Sequence, residues 1–488
     1  MLGTRVRVLS QLVDWVRNDL KSILWLSGMA GVGKTSIAIT LCRMLEEDAT
    51  VLLGGTFFCS RTANDERRSD VRRILPTLAA HLADVSPSFA SQLAVELRPN
   101  PGSVVYKPPS DQFFPLLKRP LEALEPDDRP IIFIIDALDE CSDELELSEL
   151  LKEIVTHTCT AKVKFILISR PETHVIGSLD SNQPRNEILH LETIGRDDVT
   201  EDIRMYIGNK FGQNPLEDPE TWYSDADVHA LATIANGLFI VASTVVTYIL
   251  DTEDVGDRKG CLQATVSAVN ESKVATGPLD EIYELIITRA SPAMKVGPHE
   301  LVQTQRILAS ILVARMPLSL EALSELLNAR IDAIRGSLHR LRAVVHVPEE
   351  PDQPGLRTVH ASFDDYIFER AASDVRIDRS LGEEALSRGC LRVLAERLHF
   401  NVSHVQSSYR PNPSSKTGFI PLSLEYACLQ WIYHVSGWVE PSAFDTHIND
   451  AFRPRLLFWL EVMSVLGHVQ RATAMLVLAA MTVRFQRK

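Results

Sequence analysis

The chain has 488 residues, 45% of them apolar, and carries 50 Lys and Arg against 64 Asp and Glu, a formal charge of −14. At ~150 residues per domain, this length asks for two to four domains. The acidic balance argues against a dedicated nucleic-acid surface, because neutralising phosphates takes clustered Lys and Arg. Seven cysteines without a C-x-x-C pair support neither a zinc knuckle nor a disulfide framework, and fit a reducing compartment. Arg5 and Arg7 interrupt any secretory apolar region at the start. The longest apolar stretch, residues 237–250, is shorter than the ~20 residues that span a bilayer. It also holds Ser243, Thr244 and Thr247, so a buried helix in a cytoplasmic protein is expected.

Val8, Leu9, Leu12, Val13 and Val16 give residues 1–20 a helical period that leads into the first strand, Ser22-Ile23-Leu24-Trp25-Leu26-Ser27. Next comes Gly28-Met29-Ala30-Gly31-Val32-Gly33-Lys34-Thr35, which opens into Ser36-Ile37-Ala38. A G-x-x-x-x-G-K-T run between strand and helix predicts a phosphate loop. Gly28, Gly31 and Gly33 let the chain wrap, so that backbone N–H groups around Val32 and the helix start at Ser36 point at phosphate oxygens. Lys34 is assigned to the outer phosphates and the Thr35 hydroxyl to Mg²⁺. The competing reading, a Gly-rich turn that binds nothing, leaves Lys and Thr in this register unexplained.

A second strand is expected at 54–59 and a helix at 70–83, followed by a Pro-rich loop at 99–109 and a short helix at 113–124. Asp70 and Arg73 read as a local ion pair. The turn Asp127-Asp128-Arg129-Pro130 precedes Ile131-Ile132-Phe133-Ile134-Ile135, the run that a strand buried on both faces of a parallel sheet requires. Another strand is expected at 163–169. Strands alternating with helices predict an α/β, doubly wound parallel sheet with its ligand at the carboxyl ends of the strands.

From 196 the pattern turns helical. Helices are expected from 197 and over 226–250, with a break at Gly237; residues 251–277 read as a loop. Further helices are expected at 279–288, 303–314, 318–327 with Ser319 as N-cap, and 331–341. Two short strands at 344–347 and 356–360, joined by a Pro-rich turn at 348–354, complete a winged-helix pattern. Residues 376–488 read as helices with a break at 409–421, and no fixed-period repeat is visible.

Asp136 ends the apolar strand, where a carboxylate can hold Mg²⁺ through water. Asp139 and Glu140 follow it, in position to polarise a water attacking the γ-phosphate. Arg170, in Ser169-Arg170-Pro171, ends the next strand on the same edge and can reach a γ-phosphate with bidentate geometry. Alone, these could be an acidic loop and a surface ion-pair Arg; the phosphate loop upstream weighs against that. His360, on spacing alone, reads as a structural histidine. The only Asn-Lys pair, Asn209-Lys210-Phe211-Gly212, lacks the Asp of a guanine-reading loop, which favours ATP over GTP.

In combination these motifs resemble the NACHT family of STAND P-loop ATPases, most of all the fungal-type members. The likeness includes Gly3-Thr4-Arg5, Thr56-Phe57-Phe58-Cys59-Ser60-Arg61, Arg68-Ser69-Asp70, Asn236-Gly237-Leu238-Phe239 and His360-Ala361-Ser362-Phe363-Asp364-Asp365-Tyr366. It implies an AAA-like nucleotide-binding domain at 21–195 after an N-terminal helix at 1–20. A helical lid at 196–290, a winged helix at 291–372 and a helical region at 373–488 follow. It also implies that Leu238 approaches base and ribose and that His360 touches the β-phosphate of ADP. The implied activity is slow ATP hydrolysis in an ATP/ADP switch that opens and forms homo-oligomers, in innate immunity or heterokaryon incompatibility. The usual effector domain and repeat array have no counterpart in this sequence, which leaves three readings open: a truncated product, a degenerate copy, or a core that works with effector and sensor proteins in trans. The other readings are a STAND-type transcription regulator and a scaffold that binds nucleotide without hydrolysis.

Overall fold

Five strands, β1 (Ile23–Ser27), β2 (Leu52–Phe58), β3 (Ile131–Asp136), β4 (Val163–Ser169) and β5 (Asn186–His190), form one parallel sheet in the order β2-β3-β4-β1-β5 in the computed structural model. The structure describes residues 4–60, 68–98, 104–124, 129–158, 162–179, 186–191, 196–214, 222–251, 255–271, 278–290, 298–353, 355–372, 375–404, 420–438 and 452–486. The turn at Asp127-Asp128 lies outside these residues, as does most of the Pro-rich break expected at 409–421 and the first half of the loop expected at 99–109. The chain divides into two units, Met1–Val274 and Ala275–Lys488.

In the first unit, period-two alternation sends strand side chains to opposite faces of the sheet. Leu24, Leu26, Ile132, Ile134, Ile166 and Ile168 pack under two helices, α1 (Val6–Asn18) and α2 (Lys34–Glu46), which contribute Val8, Leu12, Val16, Ile37 and Leu41. Trp25, Phe133, Phe165 and Leu167 face the other way, with the Phe133 and Phe165 rings stacked at 5.0 Å. Helices on both faces make the sheet doubly wound. The first helix is tied to it by Lys164 on β4, whose buried ammonium donates to the carbonyls of Trp15 (2.8 Å) and Asp19 (2.7 Å).

The second face is covered by α3 (Ile74–Val85), α4 (Pro87–Leu97), α5 (Pro109–Phe113), α6 (Arg119–Glu122) and α7 (Glu144–His157). A π-helical segment, Phe114–Lys118, joins α5 to α6, so the helix expected at 113–124 begins earlier and is wider in its middle. Pro115 and Pro120 have no N–H to donate to the preceding turn, which is the local reason for that widening. Four elements were not among those expected: α4, α7, the short α8 (Thr173–Ser178) and the edge strand β5, whose Asn186, Glu187 and His190 leave it little apolar pattern.

The unit ends in α9 (Arg196–Gly212), α10 (Asp225–Ala235), α11 (Phe239–Leu250) and α12 (Val255–Glu271). A reciprocal Ser224–Asp227 capping box starts α10, and left-handed Asn236 and Gly237 end it, where the break was expected. The run 239–250 is a buried helix, as its hydroxyl residues suggested. The loop expected over 251–277 is instead largely α12. Its described buried side consists of Cys261, Leu262 and Thr265, and the Thr265 hydroxyl donates to the Cys261 carbonyl at 2.8 Å. So thin and polar a stripe gives almost no helical period.

The second unit contains α13 (Pro278–Ala290), α14 (Pro298–Val313), α15 (Leu320–Leu327) and α16 (Ile331–Leu338). Ser319 caps α15 by accepting from the Ala322 N–H at 3.0 Å. A two-residue antiparallel ladder of β6 (Val345–His346) with β7 (Arg357–Thr358), and a further bridge between Leu318 and Leu356, follow α16. Then come α17 (Ala361–Asp365), α18 (Arg379–Arg397), α19 (Leu422–Gly437), α20 (Leu456–Val465) and α21 (Val469–Gln486). The six described cysteines are buried and unbridged, and no helix among the described residues is long and apolar enough to cross a membrane.

Candidate nucleotide-phosphate site

The parallel sheet places the loops after β1, β3 and β4 on one edge. Because β4 lies between β1 and β3, Arg170 sits between the phosphate loop and Asp136. The edge is fixed by hydrogen bonds. Gly28 N–H donates to the Ser169 carbonyl at 3.3 Å, and Cys59 N–H donates to the Asp136 carbonyl at 2.9 Å. Trp25 Nε1 donates to Ser169 Oγ at 2.9 Å, and that hydroxyl donates to the Arg170 carbonyl at 2.8 Å.

Within the loop, Gly31 (φ +78°) and Gly33 (φ +93°) occupy the left-handed region, and Gly33 is the residue from which α2 starts. A Cβ on Gly31 would lie 2.1 Å from Ile240 Cγ2, so this position has no room for a side chain. Val32 is buried, Thr35 and Ser36 are exposed on the first turn of α2, and the Lys34 ammonium donates to the carbonyls of Gly28 (2.6 Å) and Met29 (2.9 Å). The lysine therefore lies inside the curve of the loop, where its charge meets the helix N-terminus.

Asp136, 1% exposed, hydrogen-bonds the Thr35 hydroxyl. Burial pushes its carboxyl up to about 6 against the opposing effects of Thr35 and the Lys34 charge. Its Oδ1 has no hydrogen-bond partner among the described residues. A buried carboxylate oxygen without a partner, beside a hydroxyl at the mouth of a phosphate loop, fits a hard divalent cation such as Mg²⁺ held by Thr35 and Asp136. Asp139 and Glu140 follow on a 3-10 turn, Leu138–Glu140, that begins at left-handed Ala137 (φ +58°). Both oxygens of Asp139 engage Arg170: Oδ1 accepts its backbone N–H at 2.9 Å, and Oδ2 forms an ion pair with its guanidinium, 3.0 Å from Nε.

Three groups at this site were not singled out one by one from the sequence. Arg5 is 7% exposed, with its Nη2 donating to the Val32 carbonyl at 2.8 Å and its guanidinium 5.1 Å from the Phe239 ring. Its Nε and Nη1 have no partner among the described residues, and burial pushes its pKa down. Phe239 packs over Gly33, and Ile240 N–H donates to the Gly31 carbonyl at 3.1 Å. Leu238, half-buried, precedes them as the N-cap of α11. The only sequence signal for these contacts was the pair of short motifs holding Arg5 and Phe239.

His360 belongs to the second unit. It follows β7 and caps α17: its Nδ1 accepts the Ser362 N–H at 3.1 Å and lies 2.7 Å from Ser362 Oγ. Ser362 Oγ in turn lies 2.8 Å from the Tyr283 hydroxyl. Accepting from a backbone N–H leaves Nδ1 without a proton, so the neutral ring carries its proton on Nε2.

A phosphate loop, a metal-competent Asp at the end of a second strand and an intervening strand ending in Arg define a P-loop NTPase site on a parallel sheet. A family profile described as Nephrocystin 3, N-terminal matches residues 3–170, which spans β1 to β4. The chain is 24% identical over 508 aligned residues to the vegetative incompatibility protein HET-E-1 of Podospora anserina, covering 93% of this chain and 34% of that protein. It therefore spans about a third of that relative's length. Among solved structures, it is similar to a STAND protein with a tetratricopeptide repeat sensor from Pyrococcus horikoshii (14% identity, TM-score 0.42, 98% of this chain and 57% of that one). It is also similar to Cdc6p from Pyrobaculum aerophilum (14% identity, TM-score 0.33, 79% and 94%). The motif set and the sequence matches support a P-loop NTPase that resembles the NACHT/STAND class.

Proposed function

We propose that the protein is an ATP/ADP switch that hydrolyses ATP slowly and self-associates in its ATP state. The observation that carries this reading is the meeting of Thr35 and Asp136 beside the phosphate loop, with one oxygen of the buried carboxylate left over. In this reading Gly28, Gly31, Val32, Gly33, Lys34 and Ser36 line the phosphates, and Thr35 and Asp136 hold Mg²⁺. Glu140 polarises the attacking water, and Arg170 contacts the γ-phosphate. Arg5, Leu238 and Phe239 form the base end, where the unsatisfied Arg5 donors suit the acceptor atoms of a nucleobase. The stretches 196–290 and 291–372 act as helical lid and winged helix. ATP must favour the open form by ~5.5 kcal/mol for a near-complete reversal of such a switch.

Likeness to a vegetative incompatibility protein supports a place in a response of the innate-immunity or incompatibility type. The test is binding of a fluorescent ATP analogue by the purified chain, with its mass followed by light scattering in ADP and in a non-hydrolysable ATP analogue. Lys34→Ala is expected to weaken binding at least ~100-fold, and the mass is expected to rise with the analogue only. Normal binding by Lys34→Ala refutes the site, and an unchanged mass refutes the switch.

A further inference from the structure

The sequence pairs Asp139 with Glu140 as groups acting on the attacking water, yet the two carboxylates have different surroundings. The Asp139 side chain is 6% exposed, and both of its oxygens are occupied by one residue, Arg170: Oδ1 accepts the backbone N–H and Oδ2 is ion-paired with the guanidinium. An oxygen ion-paired with a guanidinium or accepting a backbone N–H has little capacity left to take a proton from water. On a 3-10 turn, consecutive side chains project roughly 120° apart, so Glu140 leaves the turn in another direction.

Arg170 is held at both ends of its backbone. Its N–H is donated to Asp139, and its carbonyl accepts from Ser169 Oγ, which is itself fixed by Trp25. Asp139 also grips the guanidinium through Nε, so the end-on pair Nη1 and Nη2 carries the remaining donors. A long arginine aimed in this way loses its rotamer freedom on folding rather than on ligand binding.

We infer that Asp139 is a positioning residue for Arg170, setting the aim of its Nη pair so that the site distinguishes a nucleoside triphosphate from a diphosphate. Glu140 is then the carboxylate that acts on water. The inference rests on the proposed contact of Arg170 with the γ-phosphate, and the experiment separates the two.

The affinities of the purified full-length protein for ADP and for a non-hydrolysable ATP analogue are measured for each variant, together with single-turnover phosphate release. Arg170→Ala and Asp139→Ala are each expected to lower the analogue-to-ADP affinity ratio ~10-fold. The double variant should do no worse than either alone, because the two residues act as one unit. Asp139→Asn, which keeps one acceptor oxygen, should lower the ratio ~3-fold, and it serves if the alanine variant does not fold. Glu140→Gln should slow phosphate release and leave both affinities unchanged. If Arg170→Ala lowers the ratio and Asp139→Ala does not, the inference fails alone. If Asp139→Ala weakens both nucleotides equally, its role is structural. If Arg170→Ala leaves the ratio unchanged, the γ-phosphate reading fails with it.

Discussion

The carboxyl edge of the sheet and the network around His434 in the second unit both bury polar groups, and they treat them in opposite ways. In the second unit, fully buried His434 on α19 hydrogen-bonds Glu383 on α18 through Nδ1 (2.6 Å) and Tyr426 through Nε2 (2.8 Å). The Tyr426 hydroxyl also accepts the Arg315 N–H at 3.3 Å, so the network closes on itself. At the sheet edge, Asp136 Oδ1 and two nitrogens of Arg5 are buried without a partner among the described residues. A buried polar group costs free energy unless it is hydrogen-bonded. The closed network holds helices together, whereas the open one carries a cost that a cation and a nucleotide would offset.

Breaking the closed network gives the largest expected effect. Glu383→Ala strands the His434 Nδ1–H and should destabilise the second unit by about 3 kcal/mol in urea unfolding. Asp136→Asn should do the reverse for the nucleotide-free first unit. With its folded pKa raised to about 6 from 3.8, the ionised carboxylate costs about 3 kcal/mol at neutral pH. Asn should recover about 2 kcal/mol of it while abolishing Mg²⁺-dependent nucleotide binding. A loss of stability would show that the buried charge is already compensated.

The same two groups should give opposite pH responses. Asp136 binds its proton more tightly folded than unfolded, so its contribution to stability falls as pH rises from 3.8 to about 6. Burial lowers the pKa of His434, so the unfolded chain takes up that proton first, and stability is lost as pH drops below 6.5. Proton competition at Asp136 should weaken Mg²⁺-nucleotide binding below about pH 6, which titration of binding against pH would show. The smallest effect is expected where polar groups face water. Glu384→Gln, which removes the exposed pair with Arg388, should change stability by less than about 0.5 kcal/mol.

What was legible in the sequence was local. The phosphate loop is one contiguous run, and β1, β3 and β4 are apolar because both faces of a parallel sheet are covered. Leu147, Leu150, Leu151 and Ile154 on α7 carry a readable helical spacing, whereas β5 and α12 bury too few apolar residues to show one. The meeting of Arg5, Val32 and Phe239 depends on folding across more than two hundred residues, and so does the bond from Ile240 to Gly31. No spacing rule reaches that far. The double engagement of Asp139 by Arg170 is likewise a product of β3 and β4 lying side by side.

The hydrogen bond from Ile240 N–H to the Gly31 carbonyl makes the first turn of α11 and the phosphate loop one mechanical linkage. With a Cβ position on Gly31 only 2.1 Å from Ile240 Cγ2, the Ile240 side chain sits directly against the loop backbone. A tug along α11 is thereby transmitted to the loop itself, as a crank transmits to its shaft.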